Sequence, residues 1–191
     1  TGGLADVVGA LPKSFNKNEY DVRVVIPNYT SIPWKYREHF EYVHHFYMDM
    51  GNLPAQHVGI MKYVYQGVTY YFIDNEKYFK RDKAYGYDDD KERFAFFSKA
   101  VLEVLQILDF FPDIIHANDW QTALVPVYLK THYANDGRYN KIKTVLSLHN
   151  LQYQGRFGMS ILEDTLGIDK KFRSILEHQN DVNYLKAGIQ T

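Results

Sequence analysis

Twice in this chain a short apolar, β-prone run breaks off abruptly into polar residues. The first run, Ile114-Ile115, follows Pro112 and gives way to His116, Asn118 and Asp119. Trp120, Leu124, Val125 and Tyr128 then recur at helical spacing. The second run, residues 144–148, ends in His149-Asn150. A buried strand, a polar tip and a helix make half of a βαβ unit, so the pattern predicts an α/β fold built on a parallel sheet. In open parallel sheets ligands bind at the tips where strands give way to helices. Both tips are therefore expected to face one ligand.

The rest of the composition narrows the class. At 191 residues the chain suits one ordinary domain with a full core. With 46% hydrophobic and 24% charged residues it is globular in composition, not disordered. A formal net charge of −1, with no dominant Lys/Arg cluster, argues against a nucleic-acid partner. No apolar run approaches the length that spans a bilayer, so no membrane partner is expected. The absence of cysteine excludes disulfides and thiolate metal sites and permits a cytoplasmic setting, which is the expected location. The 17 tyrosines fit either hairpin packing or a carbohydrate-binding surface, where a ring with a hydroxyl rim suits a sugar.

Thr1-Gly2-Gly3-Leu4 is a glycine turn running straight into an amphipathic helix over residues 4–15, with Leu4, Val7, Val8, Leu11 and Phe15 on one face. Such a turn normally links a strand to its helix, so the chain reads as a fragment lacking its first central strand. Residues 21–27 read as a strand and residues 28–36 as a loop. From 40 to 75 the period changes to that of strands, at 40–43, 57–65 and 68–73, with Gln66-Gly67 as a two-residue hairpin turn. That marks an antiparallel hairpin inserted into the parallel α/β pattern. A turn is expected at residues 51–54, a loop over 75–90 and a strong helix over 92–108; residues 159–178 read as mostly helical, with a break at Gly167.

Each candidate site residue has an ordinary reading beside the functional one. Gly2 and Gly3 before a helix offer free N–H groups to an anion, but turns need glycine anyway. Asp6 in the first helical turn is favoured by the dipole. Asp119 before a helix is by default an N-cap. His116 can be a core histidine, and Trp120 either core or sugar platform. His149 and Asn150 are more telling, since both can donate and accept at a loop that follows a strand. No histidine spacing suits a metal, and there is no serine nucleophile elbow.

Taken together, TGGLADVVGALPK at residues 1–13, HANDWQTAL at 116–124 and SLHNLQYQG at 147–155 resemble bacterial glycogen and starch synthases. YGYDDDKERFAFFSKA at 85–100 and YLKAGI at 184–189 fit in the same order, while residues 40–75 match only loosely. The resemblance implies a retaining glycosyltransferase of the GT-B fold, with two Rossmann-like domains facing across a cleft. It implies transfer of glucose from ADP-glucose to the non-reducing end of an α-1,4-glucan, with no cofactor and no essential metal. This chain, residues 1–191, would be the N-terminal, acceptor-side three-layer domain. The partner nucleotide-binding domain, with its phosphate-binding Arg and Lys and its key glutamate, is absent, and the isolated fragment is expected to be inactive. By similarity, Gly2 and Gly3 reach the nucleotide's distal phosphate; the lysine that usually precedes the threonine is absent. Asp6, Tyr87, Trp120 and Asn150 match positions around glucose and acceptor, with His149 and Asp119 as the catalytic pair. The geometric expectation is that the glycine turn, the Asp119 corner and the His149 corner open onto one edge of a single parallel sheet. Two rivals remain, a stand-alone glucan-binding module and a transferase for another nucleotide sugar.

Overall fold

The computed structural model describes residues 3–191, and they form two compact units. The first holds the residues up to Met48 together with Gln56–Gly86; the second holds Asp49–Ala55 and Tyr87–Thr191. Among the described residues no helix is long and apolar enough to cross a membrane.

The first unit opens with α1 (Gly3–Ser14), which carries Pro12 inside it. None of its residues is buried, so the predicted apolar face is only partly covered; Leu11 and Phe15 are exposed. Strand β1 (Arg23–Pro27) follows, β-branched at its centre and stopped by proline. The expected loop after it contains one helical turn, α2 (Trp34–Arg37). Strands β2 (Glu41–Met50), β3 (Leu53–Tyr65) and β4 (Val68–Asp74) are longer than their apolar cores suggest, and β3 continues through Pro54. The sheet order is β1-β4-β3-β2, with β1 parallel to β4 and β3 antiparallel to it. Gln66 and Gly67 both take positive φ, 50° and 76°, which is the twist that a two-residue hairpin requires. The expected loop over 75–90 holds a short helix, α3 (Glu76–Phe79), capped by the Asn75 side chain accepting from the Tyr78 N–H at 3.1 Å.

The second unit is organised around α4 (Asp90–Ile107), which buries Phe94, Phe97, Val101, Leu102 and Leu105 as its spacing predicts. The helix ends in a Schellman arrangement: the Phe110 N–H donates to Leu105 O at 3.0 Å and the Asp109 N–H to Gln106 O at 3.2 Å, with Asp109 at φ 46°. Strand β5 (Ile114–Asn118) pairs in parallel with β6 (Lys143–Ser147) across α5 (Leu124–Thr131). This is the predicted βαβ core, although β5 is not the buried strand expected: Ile114 is 59% exposed and only Ala117 is buried. The parallel strands pair as β1 with β4 and β5 with β6 and are not joined in one continuous sheet, in keeping with the expected gap at a missing central strand.

The sequence signals missed one element altogether. Strands β7 (Arg156–Gly158), β8 (Glu177–His178) and β9 (Asp181–Asn183) form a small antiparallel sheet in the order β7-β9-β8. The region expected to be mostly helical holds only two single turns, α6 (Ile161–Asp164) and α7 (Arg173–Leu176), and a short 3-10 turn; Gly167 does interrupt it, at φ 62°. The chain's last helix, α8 (Tyr184–Ile189), starts at Asn183, whose side chain caps the Lys186 N–H at 2.9 Å.

Candidate functional site

The ends of β5 and β6 lie side by side because the parallel register sets Asn118 opposite Ser147. What joins the two tips is Asp119. Its N–H donates to Ser147 O at 2.9 Å. Its Oδ1 accepts from the backbone N–H of His149 at 2.7 Å and of Asn150 at 3.2 Å. The side chain therefore does not cap the following 3-10 turn (Trp120–Thr122), as a helix-leading aspartate would by default. Its backbone explains why: φ 57° and ψ −176° lie in a region that side-chain-bearing residues rarely occupy, and they turn the carboxylate toward the neighbouring tip. Asp119 is 7% exposed, so these charge-assisted bonds are made out of bulk water.

Above this staple the side chains are open. His149 and Asn150 are exposed, and the His149 Nε2 lies 2.9 Å from Asn118 Oδ1. The His116 Nε2 meets Ser147 Oγ at 2.7 Å. Burial, and secondarily the nearby His149, push the His116 ring below the usual histidine range, so it favours the neutral form. The Asn118 backbone is held at both ends by one hydroxyl, since Thr122 Oγ1 accepts from its N–H and donates to its C=O, each at 2.7 Å.

Below the staple the support is aromatic. Trp120 is 7% exposed and packs edge-on against Phe94 at 4.9 Å, with Phe157 and Tyr184 at 6.1 and 6.3 Å. Between core and sugar platform, the structure makes it core. Gly155, at φ 65°, lies so close that a Cβ there would sit 2.5 Å from Trp120 Cε3, so glycine is required. Tyr87 is half-buried, with the Arg93 guanidinium 5.0 Å from its ring centre. Arg93 is fully buried and paired with Asp90 at 2.5 Å.

Thus Asp119, Trp120, His149 and Asn150 form one corner, and Tyr87 belongs to the same unit. Gly3 and Asp6 belong to the other unit, at the exposed start of α1. Gly2 lies outside the described residues. Asn118, Ser147 and Thr122 were not singled out as site residues; the signal that finds them is the strand register, which sets Asn118 beside Ser147. Among the described residues no group of three or more His, Asp or Glu side chains could hold a metal ion.

Comparison with known proteins gives one consistent result. A family model described as starch synthase catalytic domain matches residues 1–191. The glycogen synthase of Lachnospira eligens is 52% identical over 192 residues, covering 99% of this chain and 40% of the relative. That of Lachnoclostridium phytofermentans is 50% identical, with the same coverage of 99% and 40%. Among solved structures, the catalytic domain of starch synthase IV from Arabidopsis thaliana, bound to ADP and acarbose, superposes with a TM-score of 0.83 at 28% identity, covering 100% of this chain and 40% of that one. The chain spans about 40% of the length of the relatives it matches.

Proposed function

The chain belongs to the starch synthase catalytic-domain family, and from that premise we propose that it forms the acceptor-side half of a retaining glucosyltransferase. The intact enzyme moves glucose from ADP-glucose to the non-reducing end of an α-1,4-glucan in the cytoplasm. A nucleotide-binding domain of the same polypeptide supplies the remaining phosphate ligands, and closure of the two domains assembles the site. Residues 1–191 alone therefore turn over no ADP-glucose at a useful rate.

Retaining transfer builds positive charge on the sugar ring while a diphosphate leaves with negative charge. The leaving group needs donors fixed in advance. Gly2 and Gly3 take that role, with Asp6 in the first turn of α1. His149 and Asn150 hydrogen-bond the transferred glucose, and Asp119 holds them in place. Tyr87 lines the glucose and acceptor side, and Trp120 forms the wall on which the corner is built.

The observation that supports this reading is the Asp119 bridge: one buried carboxylate ties two exposed polar side chains to a strand tip, with 2.7 and 3.2 Å bonds to their backbones. The same bonds that satisfy these two backbone N–H groups also hold the exposed His149 and Asn150 still, as a sugar site requires of its polar groups. The test is glucosyl transfer by the intact protein, wild type beside His149→Ala, with ADP-glucose or UDP-glucose as donor and glycogen as acceptor. The expected result is a preference for ADP-glucose and a fall of at least about a hundredfold in the variant. Equal turnover by the variant would remove His149 from the site.

A further inference from the structure

The two histidines at the strand tips are not equivalent, and the difference lies in what each Nε2 meets. His116 Nε2 faces a serine hydroxyl, which can either donate or accept. His149 Nε2 faces Asn118 Oδ1 at 2.9 Å, and an amide oxygen can only accept. The orientation of that amide is fixed by its other end, since Asn118 Nδ2 donates, at a long 3.4 Å, to His116 O. Turning the amide over would set Asn118 Oδ1 against His116 O, two acceptors together with no proton between them. Thr122 Oγ1 fixes the Asn118 backbone, and so the point from which the side chain reaches the ring, through two 2.7 Å bonds. Among the described residues, His149 Nδ1 makes no hydrogen bond.

We propose that Asn118 is a positioning residue that holds the neutral His149 ring as its Nε2–H tautomer and so presents Nδ1 as a bare acceptor. Resting on the glucosyltransferase reading, this deepens it: the sugar hydroxyl that meets the ring must donate its proton to Nδ1. A hydroxyl is thereby selected over a group that can only accept, such as fluorine at the same carbon. The imidazole cannot serve both a donor and an acceptor role toward the sugar while Asn118 occupies Nε2. Two other ionisable groups lie close: the Asp119 carboxylate, engaged by the His149 and Asn150 backbone N–H groups, and His116, whose Nε2 meets Ser147, and neither of these contacts uses the Asn118 amide.

The experiment is long-range 1H–15N correlation of the histidine rings in the intact protein at a pH where histidines are neutral. Loss of signals in His149→Gln assigns the ring, and glucosyl transfer is assayed in parallel. Wild type is expected to show protonated Nε2 and bare Nδ1. Asn118→Leu is expected to give mixed tautomers and a fall of about tenfold in kcat/KM. Asn118→Asp, which keeps an acceptor in place, is expected to restore both the tautomer and most of the rate. A wild-type ring protonated at Nδ1 overturns the proposal, even if the leucine variant cannot be folded. So does an unchanged tautomer or an unchanged rate in a folded leucine variant, or failure of the aspartate to rescue. The expected wild-type tautomer in a protein that transfers no glucose would uphold the tautomer and refute the enzymatic reading instead.

Discussion

At the scale of single residues, Asp119 carries two opposed effects. Its φ of 57° with ψ −176° is costly for any residue with a side chain, on the order of 1–3 kcal/mol. Its carboxylate repays that by satisfying two backbone N–H groups that would otherwise go unmet. The two effects separate by mutation. Asp119→Ala loses the bonds and keeps the strain, so it should cost about 3 kcal/mol or more in urea unfolding. Asp119→Gly loses the same bonds but relieves the strain, so it should be more stable than the alanine variant by about 1–2 kcal/mol. If the alanine variant proved as stable as the glycine one, the backbone would not be strained as described. None of this was visible in the sequence, where an aspartate ahead of a helix reads as an N-cap. The carboxylate is redirected by the parallel pairing of β5 with β6, which no local pattern encodes.

At the scale of elements, α4 was the easiest part of the chain to read and holds its least expected contact. Its apolar spacing announced the core face, but Arg93 sits fully buried within the first turn, against Asp90 and beneath the Tyr87 and Phe94 rings. Removing one member of a buried ion pair leaves the other charge without compensation. Arg93→Met should therefore destabilise by about 3–5 kcal/mol, and adding Asp90→Asn should recover a good part of that, measured by denaturant titration. Purely additive losses in the double variant would mean the pair is not coupled. The hairpins show where sequence reading works and where it stops. Gln66-Gly67 was legible because glycine advertises positive φ. Gln179 and Asn180 take the same conformation, φ 52° and 65°, and join β8 to β9 without any glycine, so that sheet went unread. The helical apolar face of α1 was also legible, yet nothing in its periodicity told how little of it these residues cover. The two polar tips were found because each ends a short apolar, β-prone run, the first leading straight into a helical pattern. Asn118 was passed over because its partner lies thirty-one residues away, on the far side of α5.

At the scale of the whole molecule, most of the groups that titrate away from their ordinary values sit in the second unit, so pH should act on it first. Burial lowers both His132, where the Lys99 charge adds to the effect, and His116. The folded chain thus keeps these rings neutral where the unfolded chain protonates them, near 6.5. Their stabilising contribution is complete above that pH and is lost as pH falls below it. Carboxylates held low by arginine, such as Glu177 beside Arg173, act in the same direction only below about 4.5, which leaves the interval between to the histidines. Both rings keep part of their surface in water, so the loss should be about 1 kcal/mol or less. On the alkaline side, burial raises Tyr128, Tyr133 and Tyr184 and pushes Tyr139 up to about 12. These phenols stay protonated in the fold while unfolded ones ionise near 10, so stability should fall again as pH rises through that value. Unfolding midpoints in urea, followed by hydrogen exchange, should form a plateau between these edges, and the acid edge should appear in amides of α4 and α5 before those of β3 and β4. His132→Gln should flatten the acid edge and leave the alkaline one in place. An acid edge of undiminished height in that variant would show that another group, not the His132 ring, sets the lower limit.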